Sequence, residues 1–204
     1  MQSNELEIAV KTLSANDKVM LRIIKKNGKI NLTEYTNYYS FLISSIIGQQ
    51  LSTSAADAIH KKFSSKFGEN PTAEKIVRVR DITLRKLGIS NAKVKYVKDL
   101  SQKLISEEIS LKNIEQKSDE DIISELTKVK GIGIWTVHMF LIFALGRFNV
   151  LPYTDLGIRK SIMVNYSLKS LPDEKEIKSI SLKNKWSPYN SVASLYLWKS
   201  LDNN

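Results

Sequence analysis

Val129-Lys130-Gly131-Ile132-Gly133-Ile134-Trp135-Thr136 is the stretch on which the fold turns. Two glycines one residue apart, set among apolar residues, predict a tight turn between two helices. Glycine has no Cβ and tolerates positive φ, so the backbone can bend sharply and let a partner come close. The helix that follows is strongly apolar through about Leu145. Val150-Leu151-Pro152-Tyr153-Thr154-Asp155-Leu156-Gly157 comes next, with an acid directly behind a proline turn. The amides of Gly131, Gly133 and Ile134 are expected to point outward at the start of the second helix, which makes an anion site. Lys128 and Lys130 add charge beside it. A contact of this kind grips phosphate and positions a partner without reading its sequence. A plain helical turn with glycines for steric reasons fits the Gly-x-Gly spacing equally well.

The charge balance agrees with a polyanionic partner. Thirty-one Lys and Arg against 21 Asp and Glu leave +10 over 204 residues, an excess that favours nucleic acid over a neutral ligand. An apolar share of 42% is ordinary for a globular chain of one or two compact domains. Cysteine is absent, which excludes disulfides, thiolate zinc sites and a cysteine-held iron–sulfur cluster. His60 and His138 are too few for a histidine-rich metal site. Met1-Gln2-Ser3-Asn4-Glu5 lacks the basic-then-apolar pattern of a signal peptide. The longest apolar stretch, Met139 to Leu145, is far shorter than the ~20 residues of a membrane span. The expectation is an intracellular protein (cytoplasm and nucleoid, or nucleus in a eukaryote) with no membrane partner.

Ile, Leu and Val recur at three- and four-residue steps almost throughout, which predicts an all-α chain. Helices are expected near 3–13, 15–26, 35–48, 53–67, 73–78, 82–87, 91–106, 119–127, 134–145, 155–165, 173–184 and 188–201. Ser118 and Pro172-Asp173 mark helix starts, and Gly68, Gly88 and Gly146 mark stops. Two helical lobes follow. Lobe one covers about 50–150 and holds the hairpin 127–135. Lobe two joins about 1–49 to 151–204. The chain would cross between lobes near 45–55 and 147–157, and a cleft there would put Gln49-Gln50 and Asp155 on facing walls.

Several motifs together resemble one family. Leu126-x-x-Val129-x-Gly131-Ile132-Gly133-x-Trp135-Thr136, followed by Leu151-Pro152-Tyr153-Thr154-Asp155, is similar to the helix-hairpin-helix and aspartate of the base-excision DNA glycosylases. Four more segments resemble the alkylpurine (3-methyladenine) branch. They are Ile46-Ile47-Gly48-Gln49-Gln50-Leu51-Ser52, Leu87-Gly88-Ile89-Ser90-x-x-Lys93, Trp135-Thr136-x-x-Met139-Phe140 and Trp186-Ser187-Pro188-Tyr189-Asn190-Ser191-Val192-Ala193. They run in order from about 35 to 200.

The resemblance implies a two-lobed fold and an enzyme that flips a damaged purine out of double-stranded DNA and hydrolyses its N-glycosidic bond. It gives Asp155 the catalytic role, next to the positive sugar of the transition state; from spacing alone Asp155 reads first as a helix N-cap. Members that also cut the strand carry a lysine where this chain has Trp135, so the implied enzyme leaves an intact abasic strand. Trp135 instead offers a π face to cationic purines such as 3-methyladenine and 7-methylguanine. Met139, Tyr39, Trp186 and Tyr189 are the other candidate walls of the base pocket, though aromatics at helical spacing are as often core. Gln50 matches the side chain that fills the gap left by the flipped base, with Leu51 and Ser52 in the minor groove. Lys128, Lys130, Gly131, Gly133 and Ile134 would hold the backbone. No cofactor is required. A Na+ or K+ ion on the carbonyls of Thr127, Val129 and Ile132 is implied as a bridge to phosphate. The protein is expected to act as a monomer.

The family pattern is not complete. Thr154 stands where many members have a second acid, Asn190 where arginine is common, and Lys130 where proline is usual. Two other readings stay open: a glycosylase for oxidised or mismatched bases, and a hairpin module that binds DNA without chemistry.

Overall fold

The computed structural model describes residues 2–30 and 37–202. Twelve α-helices and no strand occur among them: α1 (Gln2–Asn16), α2 (Lys18–Asn27), α3 (Tyr38–Gly48), α4 (Thr53–Phe67), α5 (Ala73–Arg78), α6 (Asp81–Lys86), α7 (Asn91–Ile105), α8 (Asp119–Leu126), α9 (Ile134–Met139), α10 (Leu156–Asn165), α11 (Glu174–Lys183) and α12 (Asn190–Asp202). Residues 35–36 of the expected helix 35–48 lie outside the described residues. Helix starts follow local chemistry. Ser52, Ser90, Ser118 and Asp155 each turn a side-chain oxygen onto the amide three residues ahead. Asp173 and Glu176 form a reciprocal capping box on α11. Gly68 ends α4 with φ +85°. One departure from regularity is not written locally: the helix after the glycine turn is α-helical only to Met139 and continues as a π-helical turn over Phe140–Ala144.

The chain divides into two compact units, Met1–Glu34 with Leu141–Asn204, and Tyr35–Phe140. Both crossings therefore fall earlier than the expected 45–55 and 147–157. α3 belongs with the hairpin because its buried residues Leu42, Ile43, Ile46 and Ile47 face α4 and α7. Residues 141–150 belong with the C-terminal helices: Val150 N–H donates to Ser191 Oγ at 2.9 Å and Ser191 N–H to Phe148 O at 2.9 Å.

In the unit Tyr35–Phe140, α7 is the central post. α3, α5 and α6 pack on it, and α8 packs on α9. Its core includes Ile46, Ile76, Leu84, Val97, Leu100, Leu126 and Phe140, and such side chains each contribute about 1.5–3 kcal/mol by leaving water. In the other unit, α12 packs on α1, α2 and α10 around a core containing Leu13, Met20, Ile158, Ile162, Trp186, Tyr196 and Leu197. Asp17, 2% exposed, is the polar node of that core. Its Oδ1 accepts from the amides of Val19 and Met20, and its Oδ2 from Trp186 Nε1–H at 2.8 Å and from the Tyr166 hydroxyl. No helix among the described residues is long and apolar enough to cross a membrane.

Candidate active site

The hairpin is built by α8, a turn closed by Ile132 N–H to Val129 O at 3.1 Å, and α9. Gly131 sits at φ +82°, where side chains are disfavoured, and a Cβ on it would lie 2.2 Å from Tyr96 Cδ2. Tyr96 of α7 thus forms the floor of the turn, and glycine is required by the fold there. Gly133 differs. Its φ is −103° and a Cβ there would meet nothing within 4 Å. The chain's own packing does not demand glycine at 133, and open space remains for a partner's approach. The contrast gives a test. Gly131→Ala should lower the melting temperature, by more than ~1 kcal/mol of stability. Gly133→Ala should melt like the parent yet bind duplex DNA more weakly. Equal DNA affinity of Gly133→Ala and parent would contradict the close approach.

Asp155 begins α10 with extended backbone, and its Oδ1 accepts Ile158 N–H at 2.8 Å. The same oxygen accepts Trp198 Nε1–H, also at 2.8 Å. Trp198 reaches it because position 157 is glycine: a Cβ there would stand 3.0 Å from both Trp198 Cδ1 and Asp155 Oδ1. Phe143, on the π-helical turn, stacks on the indole with centroids 5.7 Å apart. The carboxylate is thus held in one orientation by two donors, one of which is itself wedged. An oriented, half-buried carboxylate can stabilise a developing cation or direct a water.

Residues 43–188 match the family described as HhH-GPD superfamily base excision DNA repair protein. The chain belongs to this superfamily. DNA-3-methyladenine glycosylase 1 of Schizosaccharomyces pombe is 34% identical over 199 residues, 95% of this chain and 86% of that protein. The Bacillus subtilis protein YfjP is 36% identical over 80% of this chain, which spans 59% of YfjP's length. The solved structure of the S. pombe 3-methyladenine DNA glycosylase in complex with abasic DNA superposes with a TM-score of 0.85 at 34% identity, covering 94% of this chain and 95% of that one.

Within the HhH-GPD fold the expected site residues separate. Gln50, Leu51 and Ser52 are exposed, Gln50 at φ +56°, and Ser52 caps α4. Lys128 and Lys130 are exposed on the hairpin, and Lys130 N–H donates to Asp99 Oδ2 at 2.8 Å. Trp135 is 39% exposed, an unusual share for tryptophan, whereas Met139 one turn on is 9% exposed; the two do not share an open face. Tyr39 is half-buried. Its hydroxyl donates to Ser101 Oγ at 2.6 Å, fastening α3 to α7, and burial pushes its pKa up to about 12. Tyr189 lies edge-on to Phe148 at 6.4 Å.

One assignment is corrected. Trp186 is not a pocket wall. It is 0% exposed in the core, with its Nε1–H committed to Asp17. Asn190, which stands where arginine is common, is an internal tie. It is 8% exposed, donates to Asn149 Oδ1 at 2.7 Å and accepts from Ser181 Oγ at 2.6 Å.

Trp198, the donor that holds Asp155 Oδ1, is the residue at this site that sequence reasoning missed. Its only local signal is a tryptophan one turn before the end of a C-terminal helix. Trp198→Phe keeps a ring on Phe143 but removes the donor to Asp155. It should slow base release about ten- to hundredfold, the worth of one hydrogen bond to a charge, with abasic-DNA affinity unchanged. An unchanged single-turnover rate would contradict the orienting role.

Proposed function

We propose that this chain is a monofunctional DNA glycosylase that excises alkylated purines, 3-methyladenine and 7-methylguanine, from double-stranded DNA and leaves an abasic site. The observation that carries the reading is Asp155, fixed through Oδ1 by Trp198 and Ile158 on a superfamily fold. An alkylated purine is cationic and leaves readily, so little acid catalysis is needed. What the chain must supply is stabilisation of the positive sugar left behind, and a carboxylate does that. Asp155 also orients the attacking water. At position 135 an exposed indole stands where strand-cutting members have lysine. It cannot form a Schiff base with the sugar and stacks instead on a cationic base, a contact worth about 0.5–2 kcal/mol.

DNA is held by the hairpin amides of Gly131, Gly133 and Ile134 and by Lys128 and Lys130, with Gln50 entering the gap in the stack. Leu51 and Ser52 rest in the minor groove. A Na+ or K+ ion would sit on the carbonyls of Thr127, Val129 and Ile132: Val129 O accepts Ile132 N–H, and a carbonyl oxygen has a second lone pair to offer. Among the described residues no group of three or more His, Cys, Asp or Glu could hold a metal. The enzyme acts as a monomer inside the cell.

The test is a methylated duplex incubated with the protein and run on a denaturing gel with and without alkali. Breaks that appear only after alkali support base removal without lyase action. Breaks without alkali contradict the monofunctional reading, and no breaks in either lane contradict excision.

A further inference from the structure

α7 carries Lys93, Tyr96 and Asp99 at three-residue steps, so they share one face. Each serves a different loop. Lys93 Nζ donates to two carbonyls at the end of α3, Ile47 O at 2.8 Å and Gln49 O at 2.6 Å. Tyr96 underlies Gly131. Asp99 accepts the Lys130 amide at 2.8 Å. Gln49 closes the circuit: its Nε2 donates to Gly131 O at 2.8 Å and stands 3.4 Å from Thr136 Oγ1. The loop bearing Gln50 is therefore tied to the hairpin directly and also through α7.

The placement of Lys93 is informative. A cation in the first turn of α7 opposes that helix's own dipole. Its ammonium instead lies on the carbonyl end of α3, where positive charge is favoured, and burial lowers its pKa. Immediately after those carbonyls the backbone enters the left-handed region at Gln50, φ +56°, a conformation that a non-glycine residue keeps only when its surroundings enforce it.

We propose that Lys93 and Gln49 are positioning residues that hold the Gln50 backbone at a fixed offset from the hairpin, and that Lys93, despite its charge, contacts no phosphate. DNA gripped by the hairpin then meets Gln50 already in register with the base to be displaced. The inference rests on the role given to Gln50 above.

Lys93→Met, Gln49→Glu, Gln50→Ala and the Lys93→Met/Gln50→Ala pair test it. Affinity for a duplex holding an abasic analogue is measured against salt, and base release from methylated duplex in single turnover. Lys93→Met should slow release about fivefold or more, leave the salt slope unchanged, and add nothing in the Gln50→Ala background, as expected of residues acting as one unit. Gln49→Glu keeps the size but loses the donor and should behave alike; it carries the test if Lys93→Met does not fold. A salt slope reduced by ~0.9 would make Lys93 a phosphate contact and overturn the proposal. So would a full Lys93→Met effect in the Gln50→Ala background. An unchanged rate in Gln50→Ala alone overturns both the brace and the role of Gln50. The slope is read on DNA that needs no excision, so it tests Lys93 separately from the proposed activity.

Discussion

Asp155→Asn should abolish base release while the protein folds and binds abasic DNA like the parent. Asparagine is as good an N-cap as aspartate, and its Oδ1 can still accept from Ile158 N–H and from Trp198 Nε1–H, both at 2.8 Å in the parent. Only the charge is removed. At ~4 Å from a cationic sugar, with an effective dielectric near 20, that charge contributes on the order of 4 kcal/mol, roughly a thousandfold in rate. Single-turnover release, thermal melting and affinity, measured on both proteins, separate chemistry from fold. Equal release by both proteins would make Asp155 a cap and nothing more.

Asp17→Ala should show the largest loss of stability. Four donors converge on this one carboxylate: two amides that begin α2, the Trp186 indole and the Tyr166 hydroxyl. Alanine removes a helix cap, worth about 0.5–2 kcal/mol. It also leaves the indole N–H and the hydroxyl without their acceptor, at ~1–3 kcal/mol for each buried group. A net loss of about 3–5 kcal/mol is expected. For a chain of this size that lowers the melting temperature by roughly 10 °C or more. A melting temperature within about 2 °C of the parent would contradict the reading of Asp17 as the node that joins α2 to the C-terminal helices.

The helices were legible because their ends are written locally. Ser118, Asp173 and Gly68 stand one residue outside the helices they bound, and a cap needs only its own turn. The Gly-x-Gly turn and the Asp155 cap were legible for the same reason. What stayed hidden depends on partners distant in sequence. Trp198 is 43 residues from the carboxylate it orients, and Gly157 shows its purpose only once that indole is in place. Gly131 and Gly133 look alike as letters; Tyr96 beneath one and open space beside the other tell them apart. Trp186 carries a motif suited to a pocket, but its indole N–H is drawn inward by Asp17, 169 residues away. The early lobe crossings have the same origin, since α3 packs its apolar face on α7, distant in sequence, as well as on α4.

Excision of alkylated purines is tested most directly by identifying the base that is freed. The purified protein is incubated with methylated duplex DNA and the soluble fraction is resolved by chromatography. Free 3-methyladenine and 7-methylguanine, accumulating with time and absent with Asp155→Asn, is the predicted result. No free alkylpurine from DNA that the protein demonstrably binds would contradict it and leave a hairpin protein that grips DNA without cutting the glycosidic bond.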